Sequence, residues 1–214
     1  MAEDERAVPE QDDDARPMTP EESLALIAQQ SEETRREIGP NPAVLLAVWG
    51  LVWLFGFGLI FLSAPPTSLM PLWAASAVAV VAFAGAIAYS AIYGIRTSRG
   101  VRGPSRLVGA MYGWSWMIAF GGLTVVNTAL IRQGLDPELI PLLWSGTSLM
   151  LTGLMYLAGG MLWQSKLQYG LGVWIILCGA ASVLAGGPHN FLVLSLAGGG
   201  GFLVASLVFL VRAR

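Results

Sequence analysis

Six apolar runs dominate the pattern along this chain, near residues 43–63, 71–94, 106–131, 139–163, 168–186 and 190–211. No Asp, Glu, Lys or Arg interrupts the sequence from Gly39 to Ile95, and none occurs from Leu167 to Val211. An apolar run of about 20 residues spans the hydrocarbon of a bilayer as a helix. The pattern therefore predicts an all-α membrane protein with six transmembrane helices, arranged as three helical hairpins within a domain at 43–212. Pro65-Pro66 separates the first two runs, Arg96 to Arg106 the next pair, Arg132 to Glu138 the third and fourth, and Gln164 to Leu167 the fourth and fifth. No charge marks the last division. The final 45 or so residues are too long for one crossing, and Gly186-Gly187-Pro188 is the place to turn.

Ahead of the first run the pattern is different. Residues 1–18 form an acidic tail with almost no large apolar side chains, a composition expected to stay disordered. Thr19-Pro20-Glu21-Glu22 is a helix start, with Thr19 as cap, Pro20 in the first helical position and Glu22 closing a capping box. Leu24, Ile27, Ser31, Thr34 and Ile38 then recur at spacings of three and four. That predicts an amphipathic helix over 19–39, stopped by Gly39-Pro40-Asn41-Pro42. No basic region precedes the first apolar run, so the first span is expected to remain in the mature protein rather than serve as a cleaved signal.

Charge orients the spans. Residues 1–38 hold twelve acids and four arginines, a net of −8, while residues 39–214 hold eight basic residues and two acids, a net of +6. With six spans, Arg35, Arg36, the Arg96–Arg106 loop, Lys166, Arg212 and Arg214 share one side, and Arg132 alone lies on the other. Basic loops stay in the cytoplasm, so both termini are expected there, with the protein in the cytoplasmic (inner) membrane. Trp73 and Trp144 then fall at outer interfaces and Tyr93, Trp163 and Tyr169 at inner ones, where aromatic belts belong. The acidic face of the 20–38 helix is repelled by an anionic leaflet, so that helix is expected to dock on a protein partner or on the Arg96–Arg106 loop.

Candidate chemistry is sparse. Apart from Arg106 at the very start of the third, no predicted span contains Asp, Glu, Lys or Arg, which argues against a proton-coupled carrier. No phosphate loop, dinucleotide fingerprint, zinc spacing or haem-binding histidine pair is present, so no catalytic residue, metal or cofactor is assigned and no nucleic-acid partner is expected. Ser145 lacks the glycine-flanked turn that a membrane serine protease needs. Cys178, the single cysteine, sits in an apolar run and reads as a small buried hydrophobe.

Three sets of residues stand out. Thr124, Asn127, Thr128, Ser145, Ser148, Thr152, His189 and Asn190 gather in the outer halves of the spans and could line a shallow pocket open to the outside, or bond helix to helix. Gly146, Gly153 and Gly160 on the fourth span, and Gly172, Gly179 and Gly186 on the fifth, keep seven-residue spacings. They form small stripes expected to face each other, with positions 153 and 179 apposed. Gly198, Gly199, Gly200 and Gly201 fall inside the sixth span, where four glycines cost roughly 3–4 kcal/mol relative to alanine in water. Close packing or a helix break must compensate, and breaks at membrane depth occur where protein or a cavity covers them. Gly50-x-x-Trp53 and Gly113-x-x-Trp116 are a faint repeat.

The spans and the Leu-Ala-Gly-Gly-Gly-Gly-Phe-Leu run at 196–203 resemble uncharacterised six-span integral membrane proteins of GC-rich bacteria. That resemblance implies a multi-pass fold and no activity. A helix before span one and a basic loop after span two are also similar to permease subunits served by ATP-binding cassettes, although those have a longer outer segment than Gly187-Pro188-His189-Asn190. Two functions are thus open: a non-enzymatic subunit that assembles with partner chains, and a permease or half-transporter for an uncharged or lipophilic substrate. The orientation gives a direct expectation. A reporter fused after Arg214 reads out in the cytoplasm and one inserted at Gly134 on the opposite side; the reverse pattern removes the six-span topology.

Overall fold

A computed structural model describes residues 18–38, 42–97 and 104–212. The acidic tail, the Gly39-Pro40-Asn41 stop, Arg99, Arg102 and Arg214 lie outside the described residues, as do the side chains of Ser31, Thr34 and Ile38. The chain divides into two units between residues 39 and 40. The first contains helix α1 (Pro20–Ile38), whose start has the two reciprocal bonds of a capping box. The Glu22 amide donates to Thr19 Oγ1 at 3.2 Å, and the Thr19 amide donates to Glu22 Oε2 at 2.8 Å. Leu24 and Ile27 are exposed on this helix.

The second unit is built from α2 (Pro42–Ser63), α3 (Leu72–Thr97), α4 (Pro104–Arg132), α5 (Ile140–Leu162), α6 (Lys166–Ala185) and a sixth span made of α7 (His189–Val193), a π-helical turn (Leu194–Gly199) and α8 (Gly200–Arg212). Six helices are therefore long and apolar enough to cross a membrane, and the protein is a multi-pass membrane protein by length and composition. No strand occurs among the described residues. Short connections make the hairpins. Ser165 caps α6 by accepting from the Gln168 amide at 3.3 Å, and a one-turn 3-10 helix, Pro137–Leu139, capped by Asp136, leads into α5.

The helices stand in the order α3, α2, sixth span, α6, α5, α4. The three sequential hairpins are all in contact, but the closest approach is between α5 and α6, which belong to different hairpins. Glycine is the reason. A methyl group on Gly172 would lie 2.8 Å from the Gly153 carbonyl oxygen, and one on Gly160 would lie 2.7 Å from the Tyr169 amide. One on Gly179 would meet Leu149 at 2.7 Å, and one on Gly146 would meet Val183 at 2.7 Å. In lipid no hydrophobic drive pulls helix to helix, so backbone approach at small residues supplies the contact. Two details of the stripes differ from expectation. Position 153 opposes 172 rather than 179, because the two helices run antiparallel from a turn at Gln164-Ser165. A Cβ on Gly186 would meet nothing within 4 Å among the described residues; its φ of +71° ends α6, a conformation that a Cβ disfavours.

The core lies where α2, α5, α6 and the sixth span meet. Phe202, Ile175 and Leu194 are fully buried there, with Trp53, Leu149, Leu171 and Cys178 around them. Rings continue outward from it. Phe83 of α3 meets Trp49, Trp53 and Phe57 of α2; Trp53 meets Phe202; Phe202 meets Tyr156 of α5; and Tyr156 meets Trp116 of α4. Both tryptophans of the Gly-x-x-Trp repeat thus belong to one aromatic row.

The α5–α6 geometry makes a sharp expectation. Paired cysteines at 153 and 172 crosslink under mild oxidation and paired cysteines at 153 and 179 do not. Gly153→Leu lowers thermal stability in detergent by about 1–3 kcal/mol through overpacking, whereas Gly85→Leu on α3, with no atom within 4 Å of an added Cβ, leaves it unchanged.

Candidate functional site

The tetraglycine run is the most constrained place in the molecule. The helix does not break there. It widens into a π turn over Leu194–Gly199 and resumes as α8. Single π turns in α-helices often sit at functional positions. Three of the four glycines have a packing reason. A Cβ on Gly198 would lie 2.6 Å from the Trp53 ring, one on Gly199 would lie 2.7 Å from the Leu54 amide nitrogen, and one on Gly201 would collide with the Trp174 indole. Gly50 completes the approach from α2, since a Cβ on it would meet Leu203 at 2.8 Å and the Gly199 carbonyl at 3.1 Å. Gly200 is different: an added Cβ would meet nothing within 4 Å.

Polar groups fasten this segment from both sides. Ser195 Oγ donates to the Leu54 carbonyl at 2.7 Å, Trp174 Nε1 donates to the Ala197 carbonyl at 3.0 Å, and further along Ser206 Oγ donates to the Ala43 carbonyl at 2.8 Å. The six-membered edge of the Trp53 ring packs on Gly198, and its Nε1 is buried with no hydrogen-bond partner among the described residues. Buried polar groups of native proteins usually have a partner, so an unpaired indole at this depth is notable.

The polar residues singled out in the sequence do not converge on one place. Asn127 is buried and donates from Nδ2 to Thr147 Oγ1 at 2.9 Å, which ties α4 to α5. Thr147 in turn donates to the Leu143 carbonyl at 2.6 Å. Ser145 is buried and bonds back to the Leu142 carbonyl of its own helix, and Ser148 and Thr152 are half-buried on α5. Thr124 is exposed and bonds back to the Phe120 carbonyl of its own helix, and Thr128 is half-buried one turn along. His189 is exposed at the start of α7, its ring 6.1 Å from that of Phe61. Asn190 is fully buried, and neither its Oδ1 nor its Nδ2 has a partner among the described residues; the same is true of the buried Oγ of Ser63, the last residue of α2. Asn127, Ser145 and Asn190 are therefore the three members with buried positions.

Sequence reasoning missed Thr147, Trp174 and Ser195. Thr147 lies off the 145–148–152 register, and a tryptophan reaching a carbonyl of a distant span leaves no local signal. A large cavity, of about 570 Å³, is also an unanticipated feature. It opens along the joint between α6 and the sixth span, and Gly200 is on its wall. Searches against protein families, curated proteins and solved structures find no match to this chain.

Gly199 and Gly200 separate the two uses of glycine. Gly199→Ala forces the π turn away from α2 and lowers thermal stability by about 1–3 kcal/mol; Gly200→Ala is neutral or gains up to about 1 kcal/mol. Unfolding of the two variants in detergent, followed by intrinsic fluorescence, checks the contrast.

Proposed function

We propose that this protein is a non-enzymatic membrane subunit that assembles with partner chains in the bacterial cytoplasmic membrane, with both termini in the cytoplasm. The observation that carries the reading is the uneven use of glycine. On α5 and α6, Gly146, Gly153, Gly160, Gly172 and Gly179 each meet an atom of the facing helix. On α4, Gly109, Gly113, Gly121 and Gly122 meet nothing within 4 Å among the described residues, and α4 is the least buried of the six spans. Glycine in an exposed helix position costs about 1 kcal/mol relative to alanine. Close approach of another helix offsets that cost, and Gly109-x-x-x-Gly113 has the small-residue spacing that such approach uses. Trp114 and Met117 continue the same exposed face. The helix α1, with Glu21 and Glu22 in its first turn and an apolar stripe at Leu24 and Ile27, suits a basic protein surface in the cytoplasm.

A second reading is a permease or half-transporter for an uncharged or lipophilic substrate, served by a separate ATPase. The π turn and the buried side chains of Trp53, Ser63 and Asn190, unpaired among the described residues, favour it. Purification in mild detergent distinguishes the readings. The subunit reading expects a complex larger than one chain that dissociates in Gly113→Leu, while a stable nucleotide-hydrolysing partner supports the permease. A monodisperse monomer for the wild type overturns the first reading.

A further inference from the structure

The cavity on the sixth span points to a ligand that neither reading above requires. Leu167, Gly170 and Trp174 form one wall and Gly200, Val204 and Val208 the other. Gly170 and Gly200 both line the groove, and an added Cβ on either would meet nothing within 4 Å among the described residues. The helices are kept together instead by the Trp174 indole on the Ala197 carbonyl. That bond also occupies the indole N–H, so the walls offer hydrocarbon. On the sixth span the groove runs from Leu196 to Val208, about 18 Å at 1.5 Å per residue. Half the hydrocarbon thickness of a bilayer is about 15 Å. The groove therefore spans one leaflet.

Its charge is one-sided. Leu167 follows Lys166, the exposed first residue of α6, and α8 ends at Arg212, four positions past Val208. Because α6 and the sixth span are antiparallel, both cations belong to the same end of the bundle. The only two carboxylates of residues 40–214, Asp136 and Glu138, precede α5 and belong to the opposite end. An apolar slot one leaflet deep, with Lys166 beside the Leu167 end of its wall, has the shape and charge of an anionic phospholipid. We propose that the groove between α6 and the sixth span is a binding site for an anionic phospholipid of that leaflet, one acyl chain lying against Gly170 and Gly200 and the phosphate at Lys166.

Native mass spectrometry of the detergent-purified full chain tests this, with phosphatidylglycerol and phosphatidylcholine of identical acyl chains supplied at equal concentration. The wild type is expected to retain one phosphatidylglycerol in preference to phosphatidylcholine, on the order of tenfold. Lys166→Gln, a surface change that leaves the fold intact, reduces the preference severalfold. Gly200→Leu fills the slot and reduces retention of both lipids, and an unchanged unfolding temperature shows that it folds. Equal retention of the two lipids by the wild type overturns the proposal, as does undiminished retention in a folded Gly200→Leu. A second copy of the chain held in the wild type and lost in Gly200→Leu overturns it as well, in favour of a dimer face. Gly113→Leu on α4 leaves lipid retention unchanged, which keeps this outcome separate from that of the assembly reading.

Discussion

Helices in a bilayer gain nothing by hiding apolar side chains from one another, because lipid is as apolar as leucine. Everything in this structure follows from how that deficit is met. Where two helices hold together, their backbones come close enough for dispersion and a few hydrogen bonds to matter, and glycine makes the approach possible. At Gly153–Gly172 and at Gly199–Leu54 the space that a single methyl would need is already taken by main-chain atoms of the neighbour. These two contacts fix α5 on α6 and the sixth span on α2. The aromatic row from Phe83 to Trp116 then fills what remains between them.

Hydrogen bonds complete the joints that glycine starts. Trp49 of α2 reaches Ser90 of α3 at 3.1 Å, and Tyr112 of α4 reaches the Met155 carbonyl of α5 at 2.8 Å. Such bonds are worth about 0.6 kcal/mol on average within membranes. They are modest, but α4 rests on two of them, at Tyr112 and Asn127, and on the edge of Trp163 against Tyr112 at 4.7 Å. The gradient is plain: a tightly keyed centre of α2, α5, α6 and the sixth span, with α4 held to it at separate points.

Much of this fold was legible in the sequence because its strongest determinants are local. Uncharged runs of membrane-spanning length, Pro65-Pro66 and Gly186-Gly187-Pro188 at turns, and Thr19 with Glu22 at a helix start are written in neighbouring residues. The facing of the α5 and α6 stripes was legible too, because a four-residue turn leaves no other neighbour. Its register was not: which glycine meets which depends on how the Gln164-Ser165 turn spends its residues, and Gln164 takes a φ of +51° that no spacing rule announces. The polar residues were read by proximity along each helix, whereas Asn127 chose Thr147 by rotation about the helix axis. The groove beside Gly200 was invisible for a similar reason, since an empty space is defined by two segments some thirty residues apart.

The π turn has a consequence for how this chain can change. Each of its hydrogen bonds closes over one more residue than in an α-helix, so the turn absorbs an extra residue. Ser195 and Phe202 both point where they are needed because the widened turn takes up that residue. Deleting one of the four glycines would let the turn close to an ordinary α-helical one, and α8 would keep its facing, with Ser206 on the Ala43 carbonyl and Phe202 on Trp53. Inserting a residue that the turn does not absorb would instead rotate all of α8 by about 100°. Loss of one codon here is thus easier to accommodate than gain of one.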